Sequence, residues 1–276
     1  MAAVTVPAHE HVAVQRQPIA QTMILARRSV LGLFRQPSTF LPGLLFPLLI
    51  AAVNASALAK AVKFFPPIDG HPVTSFLDFV MAATIVQGVL FGGVVGGSDL
   101  ALDIENGFFE RLLASPVARP AILVGRLAGS VAMGGLQAVI FALVFTLFGA
   151  HVAGGLAAYA VLIVTSMLLA LGIGGLAAAV GLRTGSAEAV QNSFPLVFIV
   201  IFISSAFFPT ELMSGWYKAV AEHNPISWMI DGLRYQVVVG FDLTEAAKAI
   251  GVVLVLAVGA IVVATHQLQR RLRVSG

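Results

Sequence analysis

The chain has no cysteine, which removes disulfides, thiolate metal centres and cysteine nucleophiles from its chemistry. It is also poor in charge. Asp, Glu, Lys and Arg make up 11% of its 276 residues, against about a quarter in an ordinary soluble domain. Its lysines follow Ala59, Val62, Tyr217 and Ala247, so there is no Gly-Lys-Ser/Thr loop to hold a nucleotide's phosphates on backbone amides and a lysine. Any work driven by ATP therefore needs another polypeptide to bind the ATP. No histidine lies centrally in an apolar run, and His9 and His11 stand near the N-terminus, so no metal site is expected. The basic residues that give a pI near 9.6 are scattered at the ends of apolar runs. That pattern fits membrane orientation rather than nucleic acid.

What remains is apolar. Hydrophobic residues make up 58% of the chain and the mean hydropathy is +0.95. The expected fold class is an all-α polytopic membrane protein, since a spanning helix needs about 20 apolar residues. Six segments qualify: Phe40–Ala59, Phe79–Ser98, Leu127–Gly149, Val152–Leu182, Ser193–Phe208 and Ala246–His266. The expected domain plan is a disordered tail over 1–18, an amphipathic interfacial helix over 19–39, a six-span domain over 40–266 and a tail over 267–276. With the N-terminus in the cytoplasm, eleven of the 16 basic residues fall inside and five outside, which favours both termini cytoplasmic. No segment carries Asp, Glu, Lys or Arg at mid-membrane depth. Ion-coupled transport and acid–base catalysis within the membrane both need such groups, so neither is expected.

Charge gathers instead in "DIENGFFERLLASPVAR", residues 103–119, between the second and third segments. On a helical wheel over 103–115, Ile104, Phe108, Phe109, Leu112 and Leu113 share one face. Asp103, Glu105, Asn106, Glu110 and Arg111 fall mostly on the other. Pro116 ends the helix and biases Ser115 toward extended geometry. The spacing predicts an amphipathic helix of about three turns across the cytoplasmic ends of the spans. It is either an interfacial helix with a solvated face or a lever offering Glu105 and Glu110 to a soluble partner.

Two other stretches stand out. "ILARRSVLGLFRQPSTF", 24–40, sets Arg27, Arg28 and Arg35 among leucines, a basic amphipathic pattern suited to anionic lipid. "PTELMSGWYKAVAEHNPISWMIDGLRYQVV", 209–238, holds both tryptophans, Trp216 and Trp228, together with Tyr217 and Tyr235. Such residues favour the membrane–water interface. Asn224 and Pro225 read as an N-cap and first helical position. Asp231 and Arg234 are helical neighbours. Two short outer-face re-entrant helices over 210–238 are expected, acting either as an anchor or as an outer gate.

"ENGFFERLLASPV" (105–117) resembles the signature of ABC-2-type transporter permeases, a pattern close to Glu-x-Gly-x-x-Glu-x-Leu-x-x-Ser/Thr-Pro. Glu105, Gly107, Glu110, Leu112, Ser115 and Pro116 match it, and Phe108 stands where many members carry Ser or Thr. "NPISWMIDGLR" is similar to a pattern that precedes the last span in the same family, and the whole chain most resembles daunorubicin-resistance drug-export permeases. The resemblance implies a membrane subunit of an ATP-binding-cassette exporter in the bacterial cytoplasmic membrane, itself no enzyme. It would pair with a second, identical or related permease and with two ATPase subunits that bind ATP and Mg. The 103–115 helix would be the coupling helix, with Phe108 and Arg111 among its docking residues, and Arg27, Arg28 and Arg35 would touch the ATPase or lipid. The alternatives are a permease for a polysaccharide or lipid-linked polymer and a membrane scaffold without transport.

Overall fold

Backbone polar groups find no partners in lipid, so an apolar chain satisfies them within helices. The computed structural model describes residues 18–35, 37–115 and 117–274, and among these the regular structure is helical. The helices are α1 Pro18–Arg35, α2 Pro37–Leu58, α3 Phe76–Glu105, α4 Phe108–Ala114, α5 Arg119–Leu147 and α6 Gly155–Thr184. They continue as α7 Ala187–Gln191, α8 Phe194–Phe202, α9 Gly215–His223, α10 Pro225–Val238 and α11 Leu243–Val274.

Five of them, α2, α3, α5, α6 and α11, are long and apolar enough to cross a membrane. The 30 residues of α3 rise about 45 Å, beyond a hydrocarbon core of about 30 Å, so the helix ends stand outside the core. The expected segment 193–208 forms no helix of spanning length. It contains the nine-residue α8, preceded by α7 and a break at Asn192–Ser193. Even so, 187–205 runs the length of α3 in pieces. Ala187 is bonded to Glu105 at one end of α3, and Ser205 is held by Arg234 beside Phe79 near the other. At the C-terminus, α11 continues through Val274, so most of the expected tail is helix. Residues 1–17 lie outside the described residues.

The bundle is organised around α3, which is almost wholly buried, whereas α2 and α11 expose much of their surface. Small residues let helices meet backbone to backbone. Gly93 faces Ile173, Gly97 faces Ala177 and Ala101 faces Gly181, so α3 and α6 run parallel in a four-residue register. The Phe141 ring of α5 lies on Gly88 of α3, and the buried Gln137 amide fills a notch at Gly92. The apolar core has one large cluster around the N-terminal half of α3 and a second around Leu100, Ile104, Phe109, Leu127, Leu182 and Leu268 at the other end. The second cluster carries the candidate site.

Candidate functional site

The site begins where α3 stops. Gly107 takes φ 64°, ψ 13°, a left-handed conformation that costs a side-chain-bearing residue about 1 kcal/mol or more. The expected single helix over 103–115 is therefore two pieces, the last turn of α3 and the seven-residue α4. Ser115 ends α4 in extended geometry, φ −88° and ψ 161°, and its hydroxyl donates to the Leu112 carbonyl at 2.7 Å. Pro116 lies outside the described residues. The two-faced character survives the break. Phe109 is buried, and Leu112 and Leu113 pack beside it on the inner cluster, while Glu105, Glu110 and Arg111 are exposed.

The exposed acids are nevertheless tied to their own chain. The Glu105 carboxylate accepts the Ala187 N–H at 2.8 Å and so caps α7. Glu110 pairs with Arg271 of α11 at 3.3 Å, and Arg271 also donates to the Leu182 carbonyl of α6 at 3.2 Å. The Arg28 guanidinium of α1 sits 4.1 Å from the Phe108 ring centre, with Arg111 on the same ring at 5.8 Å. Arg111 also donates to the Gly107 carbonyl at 3.2 Å. Gln21 of α1 accepts the Ala118 N–H at the start of α5 at 3.0 Å. Arg27 is exposed on α1. Arg35 ends that helix, and its side chain lies outside the described residues. A short helix is thus fixed to α1, α3 and α11 while one edge faces outward.

The residues singled out in 209–238 gather at the opposite end, around the last turn of α8. That turn leaves carbonyls without helical partners, and side chains from α9 and α10 supply them. Asn224 donates to the Val200 and Ile203 carbonyls at 2.8 and 3.2 Å, and its own oxygen accepts the Ile226 N–H as the N-cap ahead of Pro225. The Tyr217 hydroxyl donates to the Phe202 carbonyl at 2.9 Å, and burial raises its pKa. Arg234, buried to 3% exposure, donates to the carbonyls of Phe79 and Ser205 at 3.1 and 2.8 Å and to Asp231 at 2.7 Å. Its guanidinium also lies 3.7 Å from the Phe79 ring centre. Desolvation pushes the Asp231 carboxyl above its ordinary pKa, against the pull of Arg234. Trp228 donates from its indole to the Glu222 carbonyl at 2.7 Å, and Trp216 is largely exposed. Two helices, α9 and α10, occupy this stretch, and α10 is packed into the bundle rather than laid on its surface.

Sequence reasoning passed over Asp99, Arg126 and Arg271. Asp103 pairs with Arg126 in a close ion pair and stands 4.0 Å from Arg28. The four-residue spacing of Asp99 and Asp103 was the available signal. Among the described residues no three His, Asp or Glu side chains are placed to hold a metal.

Residues 20–238 match the family model described as ABC-2 type transporter. The chain belongs to the ABC-2 type transporter family. It is 26% identical over 219 residues to the ycf38 transport permease of Porphyra purpurea, across 79% of this chain and 74% of that one. The corresponding protein of Cyanophora paradoxa is 25% identical over 218 residues, with the same shares covered. The daunorubicin resistance ABC transporter permease protein DrrB1 of Streptomyces coeruleorubidus is 26% identical over 153 residues, 55% of this chain and 54% of that one. This ABC-2 chain is thus a multi-pass membrane protein of the transport-permease kind, the matched region running from the first turn of α1 through the end of α10.

Proposed function

We propose that the chain is the membrane subunit of an ATP-binding-cassette exporter that moves an amphipathic small molecule or lipid-like substrate outward. Two permease subunits form the path, and separate cassette ATPase subunits bind ATP and Mg and dock on residues 105–115 and on α1. The membrane is the bacterial cytoplasmic membrane, with both termini inside. The observation that supports this reading best is the mounting of α4. Its apolar face is seated on the inner cluster and Glu110 is braced by α11, while Glu105, Glu110 and Arg111 stay exposed. A lever needs that arrangement: a push on the exposed edge reaches the spans through packed side chains.

Co-purification with a cassette ATPase, followed by nucleotide hydrolysis in vesicles, tests the reading. Glu110→Arg should abolish transport-linked hydrolysis. Because Glu110 also pairs with Arg271, a swap of both charges restores the internal pair and separates the two roles. If Glu110→Arg/Arg271→Glu regains coupling, Glu110 only braces α4. If coupling stays lost, Glu110 faces the ATPase. A chain that retains no ATPase, and whose vesicles gain nothing from nucleotide, is a scaffold and not a permease.

A further inference from the structure

A charged cleft of about 310 Å³ opens between α1, α3 and α5, beside the coupling segment but outside it. Arg28, Asp99, Leu102, Asp103 and Arg126 line it. Two of its four charges neutralise each other, because Asp103 and Arg126 form a close pair. The other two are spare. The Asp99 carboxylate has neither a hydrogen bond nor an ion pair within 4 Å among the described residues, although Arg126 and Arg28 both attract it from further away. Arg28 is half-exposed and only 4.0 Å from Asp103, so its guanidinium keeps free N–H donors. The cleft therefore offers one unsatisfied acceptor of negative charge and one donor of positive charge, with no net charge of its own.

Its depth identifies the surroundings. From Phe76 at the start of α3, Asp99 lies 23 residues on, or about 35 Å at 1.5 Å per residue. A helix that enters the hydrocarbon near Phe76 leaves it just before Asp99, since the core is about 30 Å thick. The cleft is thus level with lipid headgroups. Leu102 on its wall and Leu31, three residues on from Arg28 along α1, are both more than 40% exposed.

We infer that this cleft binds the headgroup of a phospholipid bearing a primary ammonium, phosphoethanolamine in chemistry, with its ammonium on Asp99 and its phosphate on Arg28. A primary ammonium donates three hydrogen bonds, whereas a trimethylated one donates none and leaves Asp99 unsatisfied. A purely anionic headgroup meets Arg28 but is repelled by Asp99. The acyl chains turn from the headgroup level into the bilayer. The site needs no ATPase and stands whether or not residues 105–115 dock one.

The test is lipid retention by the purified full-length chain, read by native mass spectrometry after exchange into defined lipid. Phosphatidylethanolamine should be retained roughly tenfold over phosphatidylcholine of the same chains, about the discrimination one charge-assisted hydrogen bond gives. Asp99→Asn should remove that preference, and Arg28→Gln should lower retention of both lipids. Equal retention of the two lipids by the unaltered chain overturns the proposal, and that comparison needs no variant. Asp99→Asn with an unchanged preference overturns it as well.

Discussion

Arg234 gathers four partners: two carbonyls from distant segments, the Asp231 carboxylate and an aromatic face. Truncating the buried Arg234 leaves two buried carbonyls unsatisfied, at a cost of about 1–3 kcal/mol each, while the half-exposed Asp231 keeps access to water. Arg234→Met should therefore lower thermal stability in detergent sharply. Arg234→Lys should rescue little of it, because an ammonium cannot reach three divergent acceptors as a planar guanidinium does. The pH dependence has a definite sign. Burial already holds Asp231 above its ordinary pKa, and removing Arg234 removes the opposing pull. A carboxyl whose folded pKa is raised adds stability on the acid side of its unfolded value and loses it as pH rises. The methionine variant should thus regain part of its stability as pH falls toward the ordinary carboxylate value. Asp231→Asn in the same background should flatten that recovery, measured as melting temperature against pH. The Asp231–Arg234 pair and the Asn224 cap were legible in the sequence, being local. Phe79 and Ser205 were not, since the bonds that reach them cross 155 and 29 residues of chain.

Among the elements, two glycines separate conformation from packing. Gly107 has open space where a side chain would sit, and only its positive φ resists substitution. Gly107→Ala should cost about 1 kcal/mol and Gly107→Asn less, because asparagine tolerates the left-handed region. Gly97 is the reverse. Its helical backbone accepts alanine, but the added methyl would overlap Ala177 and crowd the Gly174 carbonyl. Gly97→Ala should destabilise by about 1–3 kcal/mol, while Gly251→Ala on α11, where nothing lies within 4 Å, should be neutral or better. Unfolding of the four variants checks both expectations. Hydrophobic run length located the five long helices. It misjudged 193–208, because an apolar run says nothing about a break at Asn192–Ser193 or about an early end to α8, whose loose carbonyls are met by Asn224 and Tyr217. It also merged α3 with α4, since periodicity reads straight through a glycine that turns the chain.

For the whole molecule, α1 and α4 crowd one end of α3, and α9 and α10 the other. The absence of cysteine makes this division easy to check, because a single introduced thiol has no competitor. In sealed vesicles an impermeant maleimide should label Asn106→Cys and Trp216→Cys from opposite sides. Labelling of both from one side would refute a bundle that crosses the membrane with these ends apart. The helix joining the two ends has one further property. From Phe79, against which the buried arginine is stacked, to Glu105, which caps its neighbour, α3 runs about 39 Å with no proline or change of helix type, and α6 is locked to it along the way. It is a stiff strut. Should it move as a rigid body, a shift of an ångström at the charged end becomes a shift of an ångström at the far end, with no relay of rearranging side chains between them.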